Sequence, residues 1–262
     1  MTRTDPSGPR FLALHGFAGD GTDFARLAEA TGGDWRTPDL PGHGSNAKAP
    51  LEAFGLKRLA ADLLPETEPQ TVGLGYSLGG RLLLHIARLR PAAFSALVLV
   101  GASPGLRSRG EREQRRAADR HWIELLREGG IEAFLDRWWR QPLFESLRRA
   151  PPERLAALRE RRLKNDPEGL VRSLEIHGTG ALPPLWDDLR EFRMPVLLCV
   201  GEEDPKFRRI AAEMAEALPR AETAVIPGAG HSAHWERPLE TARAIHRFGG
   251  LPVFIPRLGD KH

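Results

Sequence analysis

Gly75-Tyr76-Ser77-Leu78-Gly79 lies between an apolar, strand-like run, Thr71 to Leu74, and a run with helical spacing from Gly80 to Arg90. A serine on a sharp strand-to-helix turn points outward, and glycines on either side leave room for the strained backbone of such a turn. The amides that open the following helix aim at the same place, so negative charge can develop there at low cost. In a chain with 27 glycines the bare G-x-S-x-G pattern carries little weight. Its flanks, with an acid and a histidine further along, give it meaning.

Upstream, a first strand signal at Phe11 to Leu14 ends in His15-Gly16-Phe17, and a helical stretch follows around Phe24 to Ala30. A short strand near Trp35 to Thr37 runs into the loop Pro38-Asp39-Leu40-Pro41-Gly42-His43-Gly44. Leu51 to Leu64 has helical spacing. Downstream of the serine come the apolar run Ala96 to Val100, a strand at Val196 to Val200, and a helix around Lys206 to Leu218. A strand at Thr223 to Ile226 and a helix from Pro238 to Phe248 follow. Strands and helices alternating at this spacing predict a doubly wound, mostly parallel sheet. Between Pro104 and Arg190 no strand signal appears, while helical patterns recur at 112–127, 131–139, 152–163 and 168–176. That stretch is too long and too periodic for a loop. The expected layout is therefore an α/β core from residues 1–103 and 191–262, with residues 104–190 inserted as a helical lid. The tail, 249–262, is expected to be loosely held.

The chain of 262 residues, 41% hydrophobic, is long enough for one such domain. No apolar run reaches the length of a membrane span, and Met1 to Arg10 lacks the apolar region of a secretory signal, so a cytoplasmic setting is expected. The single cysteine, Cys199, sits in an apolar run and reads as a buried thiol. The net charge of +3 is unevenly spread: Gly105 to Arg172 holds 17 basic and 12 acidic residues. Such a segment is either a solvated helical surface or a positive cap over an anionic ligand. Nucleic-acid binding is not expected, because acids are interleaved and no recognition motif accompanies the arginines.

In open α/β sheets, reactive groups gather beyond the carboxyl ends of the strands. Ser77 follows one strand, Asp204 in Gly201-Glu202-Glu203-Asp204 another, and His231 in Gly228-Ala229-Gly230-His231 the last. The order serine, acid, histidine is that of an α/β-hydrolase triad, in which the histidine takes the serine proton and the carboxylate fixes its tautomer. Ser77 could instead merely cap its helix. Asp204 competes with Glu202, Glu203, Asp187 and Asp188, and His231 with His234, which could begin or cap the last helix. The amides of Phe17 and Leu78 are the expected oxyanion hole. Tyr76, the only tyrosine, either packs beside the serine or offers its phenol to a polar substrate. Trp138, Trp139 and Trp122 read as insertion core, with Trp138 a candidate to line the pocket.

These stretches together resemble the 2-succinyl-6-hydroxy-2,4-cyclohexadiene-1-carboxylate synthase family over roughly Phe11 to Phe248. Besides the turns already named, the resemblance rests on Gly19-Asp20, Asp39-Leu40-Pro41-Gly42-His43-Gly44, Pro104-Gly105-Leu106 and Asp119-Arg120-His121-Trp122. It extends to Gln141-Pro142-Leu143-Phe144 and Asp204-Pro205-Lys206-Phe207. The resemblance implies an α/β-hydrolase fold turned to a lyase of menaquinone biosynthesis, with no cofactor and no metal. It implies a small-molecule tricarboxylate substrate that loses pyruvate when Ser77, acting as a base, removes a ring proton. It also implies carboxylate ligands at Arg81, Arg115 and Arg159, among neighbours such as Arg112, Arg116 and Arg162 that are easily confused with them. A monomer with no nucleic-acid or membrane partner is expected. The rival expectations are a serine esterase, thioesterase or carbon–carbon bond hydrolase using Ser77 covalently, and a non-catalytic ligand-binding homologue.

Overall fold

The computed structural model describes residues 8–64 and 70–248; the tail expected to be loose lies outside them. The chain forms β1 (Arg10–Leu14), α1 (Ala25–Thr31), β2 (Asp34–Arg36), α2 (Leu56–Leu63), β3 (Thr71–Tyr76), α3 (Leu78–Leu89) and β4 (Phe94–Val100). It then passes through α4 (Arg109–Trp138), α5 (Pro152–Arg162) and α6 (Pro167–His177) before β5 (Val196–Gly201) and α7 (Pro205–Ala217). The last elements are β6 (Ala221–Ile226), the single turn α8 (Ala233–Glu236) and α9 (Pro238–Arg247). The described strands form one six-stranded sheet in the order β2-β1-β3-β4-β5-β6, parallel throughout.

The two-residue period of the strands sorts their side chains onto two faces. Leu12, Leu14, Leu97, Leu99, Leu198 and Val200 pack under α2, α3 and α7. Phe11, Ala13, Val98, Val100, Leu197 and Cys199 face α1 and α9. Cys199 is fully buried and unbonded, and burial pushes its thiol up to about 12, so it is an inert core residue. Strands buried on both faces are what near-continuous apolar runs such as Leu97-Val98-Leu99-Val100 produce.

The helices between β4 and β5 bury a third core of their own, with Phe134, Leu135, Leu158, Leu170 and Val171 at its centre and Ala18 and Trp235 contributed from below. As expected from 112–127 and 131–139, α4 is two helical runs that meet at a kink at Gly130, whose φ of 70° only glycine adopts readily. Its start is fixed by a capping box between Ser108 and Glu111. The single helix expected over 51–64 is two pieces, a 3-10 turn at Leu51–Phe54 and α2, because Gly55 takes an extended conformation. Among the described residues no helix is long and apolar enough to cross a membrane.

Candidate active site

Ser77 stands at φ 50° and ψ −108°, one of two non-glycine residues with positive φ among the described residues. The turn is that tight because its glycines are pressed into their neighbours. A Cβ on Gly75 would lie 2.5 Å from Gly80 Cα, and one on Gly79 would lie 2.0 Å from the Leu14 carbonyl oxygen. The Ser77 hydroxyl makes no helix-capping bond; it meets His231 Nε2 at 3.1 Å instead. His231 is 2% exposed, and its Nδ1 donates to Asp204 Oδ2 at 2.8 Å. Asp204 Oδ1 accepts from the Phe207 amide at 3.1 Å, so the first turn of α7 holds the carboxylate in place. With Nδ1–H spoken for, Nε2 is left to take a proton from Ser77.

Three of the competing acids have other partners. Glu202 accepts from the Gly228 amide, Glu203 pairs with Arg149, and Asp188 pairs with Arg88. His234 is buried in α8 with its ring 4.3 Å from that of Tyr76, and burial drives its pKa to about 3. It packs against the tyrosine and stays neutral. The Tyr76 phenol bonds Ser232 Oγ at 2.7 Å, and burial pushes its pKa well above the ordinary value.

The amides of Phe17 and Leu78 donate to nothing among the described residues. Leu78 is free because it opens α3, where a helix lacks acceptors for its first donors. The Phe17 amide has its direction set from the far side of its own peptide plane. His15 Nδ1 donates to the Gly16 oxygen at 2.8 Å and the Gly19 amide does so at 3.0 Å. In a trans peptide the N–H points opposite the carbonyl, so fixing Gly16 O aims the Phe17 N–H. His15 Nε2 in turn accepts from the Leu40 amide at 2.9 Å, and burial lowers its pKa, keeping it neutral. The next residue, Ala18, holds φ 56°, and its carbonyl is tied to Asn165 Nδ2 at 3.1 Å.

Ser77 opens into a cavity of about 610 Å³, a size that suits a small-molecule ligand. Tyr76, Trp138, Arg81 and Arg115 all line it, as does Phe17. Trp138 packs edge-on to Phe17, with ring centroids 5.2 Å apart. Arg81 is buried in α3; its Nη2 donates to the His177 carbonyl at 3.1 Å, its Nε has no partner among the described residues, and burial lowers its pKa to about 10. Arg115 reaches Asp119 through Nε at 2.8 Å.

Arg159 is a correction. It pairs with Asp136 at 3.0 Å, its side chain is 38% exposed, and it does not line the cavity. On α5 the inward face is Leu158 and Arg162, four residues apart, which turns Arg159 aside. Arg162 lines the cavity, buried, with Nη2 2.5 Å from Asp23 Oδ2 and Nη1 3.0 Å from Asp20 Oδ2. Sequence reasoning gave no site role to Lys206, Arg149 or the Asp20–Asp23 turn. Lys206 was visible within the Asp204-Pro205-Lys206-Phe207 stretch.

The chain matches the model of the Alpha/beta hydrolase family over residues 11–244. A Salmonella typhimurium protein named 2-succinyl-6-hydroxy-2,4-cyclohexadiene-1-carboxylate synthase is 35% identical, covering 89% of this chain and 90% of its own. A Bacillus subtilis protein given the same name provisionally is 36% identical over 90% of this chain and 89% of its own. Among solved structures, MenH from S. aureus superposes with a TM-score of 0.86 at 30% identity, covering 93% of this chain and 94% of its own. A Thermogutta terrifontis esterase superposes at 0.75 with 27% identity, covering 91% of this chain and 88% of its own.

Proposed function

Because this chain belongs to the alpha/beta hydrolase family and, within it, to the 2-succinyl-6-hydroxy-2,4-cyclohexadiene-1-carboxylate synthases, we propose that its cavity eliminates pyruvate from a cyclohexene tricarboxylate. The chain is a carbon–oxygen lyase of menaquinone biosynthesis. Its substrate is 2-succinyl-5-enolpyruvyl-6-hydroxy-3-cyclohexene-1-carboxylate and its product 2-succinyl-6-hydroxy-2,4-cyclohexadiene-1-carboxylate. Hydrolytic and purely binding alternatives are not favoured. The observation that carries the reading is a relayed serine opening onto a cavity lined by the guanidinium groups of Arg81 and Arg115, a poor pocket for an apolar acyl group.

In this reading Ser77 Oγ takes the ring proton next to the succinyl ketone while His231 Nε2 takes the hydroxyl proton, and Asp204 stabilises the resulting imidazolium. The electrons of the broken C–H bond form an enolate, whose oxygen the Phe17 and Leu78 amides would receive. The enolate collapses: a ring double bond forms, the existing alkene shifts, and the C–O bond to enolpyruvate breaks. The imidazolium proton returns to the departing enolate, which becomes pyruvate. Arg81 and Arg115 bind carboxylates, and Tyr76 and Trp138 wall the ring. The reading extends to a monomer working in the cytoplasm, as suits an enzyme handling a small anionic intermediate.

The test supplies the enolpyruvyl substrate to the full chain and follows pyruvate and the diene absorbance together. Both should appear in equal amounts, and Ser77→Ala should abolish both. Absence of turnover alongside rapid cleavage of activated esters would overturn the lyase reading.

A further inference from the structure

In Asp204-Pro205-Lys206-Phe207, Asp204 belongs to the histidine relay and Phe207 lends it an amide, while the Phe207 ring lies 4.4 Å from that of His231. Lys206 has no such task. It lines the same cavity as Ser77 and Arg115, and among the described residues its ammonium makes no ion pair or hydrogen bond. It lies 5.5 Å from the centre of the Phe207 ring. The carboxylates beside it in sequence are committed: both Asp204 oxygens are engaged, and Glu203 pairs with Arg149 across the cavity edge.

The other cations of the cavity divide into two groups. Arg162 is neutralised by Asp20 and Asp23, and Arg149 by Glu203. Arg81 has no carboxylate partner, and Arg115 uses only Nε toward Asp119, leaving its terminal amino groups without acceptors among the described residues. Arg81, Arg115 and Lys206 thus retain donors, and the substrate proposed above brings three carboxylates. Burial and the nearby Arg115 charge push the Lys206 ammonium below its ordinary range, with Asp204 opposing them and Arg209 adding to them. Cations that repel one another in a partly dry cavity are stabilised by an anion placed between them.

We infer that Lys206 is a substrate-binding residue which, together with Arg115, holds one carboxylate of the tricarboxylate at the solvent-facing edge of the cavity. Lysine suits an edge site, because a flexible point charge can follow a carboxylate there without the fixed approach that a guanidinium fork demands. This assignment rests on the lyase reading of the site.

The experiment compares wild type, Lys206→Met and Lys206→Arg in steady-state turnover of the enolpyruvyl substrate, with thermal unfolding of each ligand-free protein. Loss of one charge-assisted bond at an exposed edge should raise KM of Lys206→Met about tenfold, with a smaller change in kcat. Lys206→Arg should restore most of that loss, and the unfolding temperature of Lys206→Met should equal or exceed that of wild type, since a repelled charge is removed. An unchanged KM in Lys206→Met, or a KM loss that tracks a lowered unfolding temperature, would overturn the assignment. Wild type that releases no pyruvate would instead overturn the lyase reading beneath it.

Discussion

Arg162→Met removes the guanidinium that joins α5 to the Asp20–Asp23 turn, and its cost follows from the bonds it breaks. Arg162 Nη2 lies 2.5 Å from Asp23 Oδ2 and Nη1 3.0 Å from Asp20 Oδ2, with the Asp23 side chain 3% exposed. Removing one partner of a buried pair costs about 3–5 kcal/mol, because the other charge is left uncompensated. Arg161 remains 3.1 Å from Asp23 Oδ1, so the lower end, about 3 kcal/mol near pH 7.5, is expected. For a chain of this size that lowers the unfolding temperature by about 6–12 °C. The pH dependence carries the sharper signal. Burial pushes the Asp23 carboxyl up, but the Arg162 charge and hydrogen bond outweigh it, and the folded pKa lies below the ordinary value. In wild type, stability from Asp23 is therefore present above the unfolded pKa of about 3.9 and lost as pH falls through the lower folded pKa. In the variant, burial wins and the folded pKa rises above the unfolded one. Asp23 then destabilises most at high pH and is relieved as protonation sets in. Thermal unfolding of both proteins at pH 5 and pH 7.5 should show a larger deficit at pH 7.5. An equal deficit at the two values, or one below about 1 °C, would refute the reasoning that Asp23 is a buried carboxylate held charged by Arg162.

Two further outcomes follow from the site. Arg115→Ala should raise KM by about tenfold or more, through loss of a charge-assisted carboxylate contact, whereas Arg159→Ala, which breaks only a half-exposed pair with Asp136, should leave steady-state kinetics unchanged; equal losses in the two would restore Arg159 to the site. His15→Leu frees the Gly16 carbonyl and with it the Phe17 amide, so kcat should fall by about tenfold or more, toward the loss seen when an oxyanion donor is removed, while KM moves little. His15→Gln, whose amide can donate to Gly16 O and accept from Leu40 N, should recover much of kcat, and a variant pair with equal kcat would sink the peptide-plane argument.

The parts of the molecule legible in the sequence are those where one local pattern has one physical outcome. Short apolar runs at 71–74, 96–100 and 196–200, bounded by turn residues, read as buried strands, and Ser77 and Asp204 follow the carboxyl ends of the first and the last of them. Ser77, Asp204 and His231 were readable because chain order and turn chemistry restrict which groups can meet. The arginine assignment was less legible for a definite reason. On α5 the inward positions are Leu158 and Arg162, and a buried, ion-paired arginine breaks the apolar period by which a helix face is phased. Nothing local marks Asp20 and Asp23, far away in sequence, as its partners. The role of His15 was hidden in the same way: its turn was visible, but the bonds to Gly16 O and Leu40 N depend on how the Asp39–Gly44 loop folds back against β1. At Gly130 the two expected helices do part, whereas Gly55 was visible as a glycine and only the packing determined that it would split the single helix expected over 51–64.

In the proposed elimination Ser77 moves a proton and never bonds to substrate carbon. Rapid-quench intact-mass spectrometry of the full chain, taken while pyruvate accumulates from the enolpyruvyl substrate, distinguishes this from covalent catalysis. The protein should keep its unmodified mass throughout turnover. A substrate-derived adduct on Ser77, forming and decaying at the rate of pyruvate release, would contradict it.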